Sequence, residues 1–428
     1  MESIAIIGTG IAGMGCAHYL HQHYNISLFE QNSYTGGHTN TVYVTEGEKK
    51  IPVDTGFIVF NHQTYPNLVK LFHELKVDTV PTDMSFGVQY LPGGLEYSSK
   101  SLFAQKKNVL SPRFWKLLLQ IQRFYREAEE VLSDDTFSEY SIGDYIASRK
   151  YSTEFVQQYM VPMGSALWST PPDTTLQYPV RTLVNFLKNH GMLSINGQHQ
   201  WYTVLNGSWQ YRDKLIALFA EKIRLNSAVK RVERKDGKIY LTTPDGTEEI
   251  FDKVIIATHA DQALRLLADA TPFEKKVLLP FHYQPNVATL HSDESVMPKH
   301  RSTWSAWNYR VQETAGQLTA TTIYWMNKLQ PLPTQTNYFV SINDPGLIDP
   351  AKVLRTIRYE HPIFTPATEA AQEDLHNINE GGTTYFCGSY FGFGFHEDAL
   401  ASAVRVCEQI SGEAKSAPVR NPIALVSS

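Results

Sequence analysis

The sequence predicts an α/β fold: a Rossmann-like unit built from separated segments, with an α+β unit of mixed sheet and helices inserted between them. Three observations carry that expectation. An apolar run, Ile4 to Ile7, leads straight into the glycine-rich turn of "SIAIIGTGIAGMG". The next apolar run, "NISLFE", ends on an acid, Glu30. Near the C-terminus, "FCGSYFGFGF" packs three glycines and five aromatics into ten residues before "HEDALASA" opens a helix.

The first run has the length and composition of a strand buried on both faces. Gly8, Gly10 and Gly13 form G-x-G-x-x-G. Gly8 permits the tight turn, Gly10 lets backbone approach a pyrophosphate, and Gly13 lets the helix press on the sheet. The helix that opens at Ile11 and Ala12 then presents its positive end to phosphate. Glu30 stands 22 residues after Gly8, the spacing of an acid that holds ribose hydroxyls, with Gln31 beside it. An acid there disfavours a 2′-phosphate and hence NADP. It leaves NAD and FAD open. The second glycine pair, Gly36 and Gly37, followed by His38 and Thr39, implies another close backbone approach and favours the longer FAD.

Composition sets the outer bounds. The 428 residues are 42% hydrophobic and 19% charged with a net charge of −5, which gives no sign of a nucleic-acid partner. Cys16, Cys387 and Cys407 are too few and too far apart for a disulfide framework or a zinc site, so no metal is expected. The 15 histidines are scattered; His18, His21 and His23 cluster at a helix end without a completing ligand. The N-terminus lacks a basic, cleavable leader, and no apolar run approaches ~18 residues, so a cytoplasmic protein is expected.

The pieces "GTGIAGMGCA", Glu30, "GGHT", "VDTGF" and "YFCGSYFGFGFHEDALASAV" together resemble the flavin-containing amine oxidase superfamily. Longer strings, among them "VDTGFIVFNHQTYPNLVKLFHELKVDT" and "GFGFHEDALASA", resemble a bacterial subgroup of predicted NAD/FAD-binding oxidoreductases associated with genes for cyclopropane and other modified fatty acids. The resemblance implies a discontinuous FAD-binding domain of the GR2 type, over residues 1–60, 200–268 and 380–412. It implies a substrate domain over 61–199 and 269–379, and a tail over 413–428.

It also implies which residues meet the cofactor. Thr55, Gly56 and Phe57 would edge the flavin; Val229 would meet adenine; Ala257 and Thr258 would lie beside the dinucleotide. Gly388 would meet the ribityl–phosphate region, and Gly392 and Gly394 would keep the loop flat against the ring. The helix opening at His396, Glu397 and Ala399 would aim its N–H groups at the flavin's N1 and O2, favouring the reduced, negative ring. His38 stands where most members carry arginine, implying a weaker or pH-dependent contact. The family's covalent cysteine motif is not matched around Cys387, so the FAD is expected to be non-covalent.

The expected reaction is hydride transfer from a substrate C–H to the flavin. Phe57, Asn308, Trp325, Asn327 and Phe395 are the candidates for the catalytic side, with Trp304, Trp307 and Tyr324 on the same strand-like runs. Lys328 is a weaker candidate for a lysine near the flavin. Phe395 falls where amine oxidases commonly place a tyrosine of their aromatic cage. A ring without the hydroxyl suits an apolar, lipid-like or acyl-chain substrate, whose oxidation or desaturation is expected. The alternatives are an amine oxidase, a double-bond isomerase, and a binding protein of the same fold without catalysis. The stretch "SPRFWKLLLQIQRFYREAEEVL", 111–132, reads as an amphipathic helix in basic surroundings. It would either cover the substrate cavity or dock peripherally on an anionic membrane; the acidic "EAEE" favours the cover.

Overall fold

A computed structural model describes residues 1–193, 199–314 and 317–412. The tail, 413–428, lies outside the described residues. Five strands from widely separated stretches form one parallel sheet, in the order Ile223–Arg224, Asn25–Phe29, Ser3–Ile7, Lys253–Ile256, Thr384–Phe386. The first strand is buried on both faces, as its unbroken apolar run requires. Ile4 and Ile6 join one core with Leu28 and Leu400, while Ala5 and Ile7 join another with Val254 and Ile256. The first helix, Ile11–Leu20, packs against the C-terminal helix, His396–Ser411, where a Cβ on Gly15 would come within 2.7 Å of Leu400. Gly412, in the left-handed region at φ 70°, ends that helix.

A three-stranded antiparallel sheet follows the re-entry at Trp201–Val204 and the helix Trp209–Ile216. Its last hairpin turns where the sequence places Pro244, Asp245 and Gly246; Asp245 accepts from Thr243 and Thr247.

The second large sheet has seven strands in the order Val353–Ile363, His282–His291, Phe339–Ile342, Gln317–Trp325, Trp307–Thr314, Phe86–Tyr90, Leu95–Ser98. It is mixed: Phe86–Tyr90 runs parallel to Trp307–Thr314 and every other neighbour pair is antiparallel. A helical layer between residues 112 and 189 covers part of it. Its longest member, Pro112–Glu127, starts as expected, with Ser111 Oγ accepting from the Phe114 N–H and Pro112 in the first turn. It ends earlier than the sequence suggests; Glu130–Ser133 is a separate short helix.

The three cysteines, far apart in sequence, meet in one buried cluster, with Cys16 Sγ 3.8 Å from Cys387 Sγ and Cys407 Sγ 3.8 Å from the Cys16 carbonyl. All three are free thiols. His18 contacts Glu74, and His21 bonds back to its own helix end. Among the described residues no three His, Cys, Asp or Glu side chains are grouped to hold a metal, and no helix is long and apolar enough to cross a membrane.

Candidate active site

A cavity of about 1020 Å³ runs from the first glycine turn, between the two sheets, to the helical layer. At the glycine-turn end Gly8 has φ 101°, and a Cβ there would stand 2.6 Å from the Ala257 carbonyl oxygen. Gly13 carries no side chain because a Cβ would collide with the Gly8 carbonyl. Gly13 therefore sets the helix on the turn and does not itself border the cavity. Gly10 is the opposite case: nothing lies within 4 Å of where its Cβ would be. That open edge, and a helix N-terminus with no side-chain cap, leave free N–H groups at Ile11 and Ala12 beside the cavity.

Glu30 is buried at the cavity wall and held from both sides. Its Oε2 accepts from the Thr9 N–H at 3.1 Å and hydroxyl at 2.5 Å; its Oε1 accepts from Asn32 N–H and Nδ2, both at 2.8 Å. The strand end aims the acid and two local turns fix its rotamer. Gln31, Val229, Ala257 and Thr258 border the same end. The second glycine pair closes on the first: Gly36 N–H donates to the Thr9 carbonyl at 2.9 Å, and a Cβ on Gly37 would stand 3.4 Å from Gly10 Cα.

Further in, three segments are laced together. Phe57 N–H donates to the His38 carbonyl at 2.7 Å, and a Cβ on Gly56 would strike that same carbonyl. The His38 ring lies between Tyr359 (centroids 4.7 Å apart, 23° between planes) and His361 (5.2 Å). Burial, with His361, His259 and His396 nearby, holds its pKa well below the usual range. In this setting the imidazole is neutral. Its Nε2 is buried without a partner. An orphaned polar atom beside the double glycine clasp fits a bound dinucleotide cofactor.

Phe57 stacks on His396, with centroids 4.0 Å apart and planes 13° apart. His396 opens the C-terminal helix, and burial pulls its pKa down to about 3. Its Nε2 lies 2.6 Å from the Tyr211 hydroxyl, which in turn bonds Thr39 Oγ1. Thr39 and Thr55 stand one layer behind the cavity; Thr55 Oγ1 bonds Tyr359, which borders it. Gly388, Gly394, Phe395 and Ala399 border the cavity directly.

Two expectations about the C-terminal loop are corrected. Glu397 turns away from the cavity. It accepts from Asn67 N–H at 2.9 Å and Leu68 N–H at 3.0 Å, capping the helix Pro66–Glu74. Gly392 faces Asp398, against which a Cβ would collide. Asp398 accepts from the N–H groups of Phe393 and Phe395 at 3.0 and 2.8 Å, so it is this acid that holds the loop and aims Phe395.

Three of the catalytic candidates are corrected as well. Asn308 bonds Ser305 and the Ile323 carbonyl, Trp325 donates to Asn337, and Asn327 bonds Thr336 and Tyr338. None of them borders the cavity. The reason is strand alternation. Trp307 pairs with Tyr324 in register and both line the cavity, so Asn308 and Trp325, one step along each strand, point to the other face. Lys328 lies 3.7 Å from Asp83, away from the cavity, and Trp304 packs on Trp325. Sequence reading missed Tyr359 and His361, which reach the cavity from "RYEHPIF", and Met163, Trp168 and Phe186 from the helical layer.

The two glycine turns border one end of the cavity and a largely apolar wall borders the other. The family of flavin containing amine oxidoreductases matches residues 11–331, and the chain belongs to that family. It is an FAD-dependent oxidoreductase. The alternative of a binding protein without catalysis gives way to that membership. No curated protein sequence matches the chain. Solved structures share its fold. Cyclohexylamine oxidase from Brevibacterium oxydans superposes with a TM-score of 0.69 at 16% identity, over 96% of this chain and 99% of its own. A putrescine oxidase bound to putrescine gives 0.66 at 12%, over 96% and 99%. A fatty acid isomerase from P. acnes, described as producing CLA, gives 0.65 at 13%, over 96% and 98%.

Proposed function

We propose that this oxidoreductase takes a hydride from a carbon of an apolar, acyl-chain-like substrate, with its FAD held non-covalently. Bound FAD supplies the two-electron acceptor; the chain supplies position, charge and a dry wall. The glycine turn and the N–H groups of Ile11 and Ala12 would hold the pyrophosphate, Glu30 the ribose, and Val229 the adenine. His38, Gly56, Phe57, Gly388, Phe395, His396 and Ala399 would border the flavin half. In this reading 1–60, 200–268 and 380–412 form the cofactor domain, and 61–199 with 269–379 the substrate domain.

The carrying observation is the composition of the inner wall. Charged side chains at the cavity are Glu30, Lys230, Arg265, Arg358 and Glu360. They belong to the nucleotide end or to the edge strand beside it, where Glu360 lies 3.4 Å from His259. The helical wall brings Met163, Leu167, Trp168, Phe186 and Met192 against Trp307 and Tyr324, with no carboxylate among the described residues there. Phe395 stacks on Phe186 at 4.7 Å and offers no hydroxyl. An ammonium group entering that wall would lose its hydration without a counter-charge, whereas an alkyl chain gains by leaving water.

Anaerobic mixing tests this reading. Acyl lipids are expected to bleach the flavin absorbance of the purified protein and simple amines to leave it. Bleaching by amines alone contradicts it. Because the same wall would suit a double-bond isomerase, and a fatty acid isomerase shares the fold, oxygen uptake is measured alongside. Turnover of an unsaturated chain without net oxygen use would select that second reading.

A further inference from the structure

We infer that the start of the basic helix is a docking surface for an anionic phospholipid bilayer. Large apolar side chains are exposed here in a tight group: Val109 at 48%, Leu110 at 86%, Trp115 at 46% and Leu119 at 62%. Trp115 and Leu119 are one helical turn apart on one face, and the Trp115 indole N–H donates to the Val109 carbonyl at 2.8 Å, which holds the segment carrying Val109 and Leu110 beside Trp115. The helix's opposite face, Phe114, Leu117 and Phe124, is buried in the helical layer, so this apolar group is surplus to the core.

Charge selects the partner. Lys106, Lys107, Arg113 and Lys116 are exposed around the apolar group, on a chain whose net charge is −5. Glu154 is an acidic neighbour, in the field of Lys116 and Arg113, and Lys107 Nζ also reaches the Gly94 carbonyl at 3.1 Å. The acidic run that argues against a membrane in the sequence is neutralised in the fold. Glu127 pairs with Arg123 at 2.8 Å, Glu129 with Lys188 at 3.0 Å, and Glu130 with Arg149 at 2.8 Å. Glu127 also lies about 18 Å along the helix from Trp115, at ~1.5 Å per residue. That is beyond the screening length of roughly 8 Å in physiological salt. Tryptophan and leucine at the tip with lysine and arginine around them match the headgroup region, apolar inward and cationic at the phosphates. The surface stands whatever the substrate proves to be.

Co-sedimentation of the FAD-loaded protein with vesicles tests the assignment. The wild type is expected to bind mixed phosphatidylglycerol–phosphatidylcholine vesicles, to release with salt, and to ignore pure phosphatidylcholine. Lys106→Gln with Lys116→Gln is expected to weaken binding roughly 30-fold, the effect of two surface cations. Leu110→Ser with Leu119→Ser is expected to weaken it at least about tenfold. Both pairs should keep the flavin spectrum and melting temperature, since these side chains are exposed. Equal wild-type binding to both vesicle types, or unchanged binding by both variants, overturns the assignment. So does gel filtration showing a lipid-free oligomer that the leucine pair breaks, because the face would then join two copies of the chain.

Discussion

The Tyr211 hydroxyl lies 2.6 Å from Nε2 of His396, and the two residues are 185 positions apart. Tyr211 is fully buried on Trp209–Ile216 and His396 opens the C-terminal helix at the cavity. Burial pulls the His396 pKa down to about 3 and pushes that of Tyr211 well up, so both are neutral at physiological pH. The Tyr211 hydroxyl and Thr39 Oγ1 both meet Nε2, so this buried trio sets which ring nitrogen of His396 carries the proton.

Tyr211→Phe removes one member of the trio that sets the tautomer while keeping the ring's packing on Phe57 and Phe72. The expected result is a shifted flavin absorption spectrum and a flavin midpoint potential lower by tens of millivolts. Flavin reduction should slow by roughly tenfold, the worth of about one neutral hydrogen bond. KM should change little. An unaltered potential would show that the pair only packs.

Glu30→Gln keeps the shape of the acid and removes its charge. FAD binding is expected to weaken by roughly 10- to 100-fold, the usual range for a hydrogen bond to a charged group. Glu30 accepts two hydrogen bonds on each oxygen, and the amide nitrogen of Gln accepts none, so the backbone N–H of Thr9 or of Asn32 loses its acceptor and the apoprotein is expected to lose about 1–3 kcal/mol as well. Fluorescence titration of apoprotein with FAD measures the first effect and calorimetry the second.

Gly13→Ala forces a methyl group into the Gly8 carbonyl. The helix must then move off the turn. A loss of about 2 kcal/mol or more is expected, together with loss of FAD. Gly10→Ala, where nothing lies within 4 Å, is expected to leave the apoprotein's stability nearly unchanged and to weaken FAD binding alone. Chemical denaturation of both apoproteins separates the two roles.

Asp398 gives a pH signature. Burial, with a contribution from Glu397, raises its pKa to about 7. The unfolded value is about 3.9. Between about pH 4 and 7 the folded state therefore holds a proton that the unfolded state has lost, and stability falls as pH rises through that window. Arg405 and Glu397 are the charged neighbours of the group. Asp398→Asn does not titrate, so the wild type's melting temperature minus the variant's should decline from about pH 4 to pH 7 and level off above it. A flat difference would contradict the assignment.

The elements that form the glycine-turn end of the cavity were legible because their chemistry is local. A strand, a glycine turn and an acid 22 residues on need no tertiary information, and the Gly36–Gly37 pair follows the same logic. The substrate side was less legible. Trp307 and Asn308 differ by one step along a strand, and only the sheet's packing decides which of the two meets the cavity. Glu397 and Asp398 are adjacent acids at a helix start, and their separate jobs depend on Asn67 and on the folded loop. The meeting of Cys16 with Cys387, the His38–His361 contact and the pairing of Glu129 with Lys188 and Glu130 with Arg149 join residues well separated in sequence, whereas Arg123–Glu127 is a local pair on one helix.

The most direct measurement is the absorption spectrum of the purified protein, followed by heat denaturation and filtration. A flavin spectrum, with one FAD per chain recovered in the filtrate, is the expected result. A colourless protein, or a yellow colour that stays with the precipitated chain, would contradict an FAD clasped without a covalent bond by the two glycine turns and the C-terminal helix.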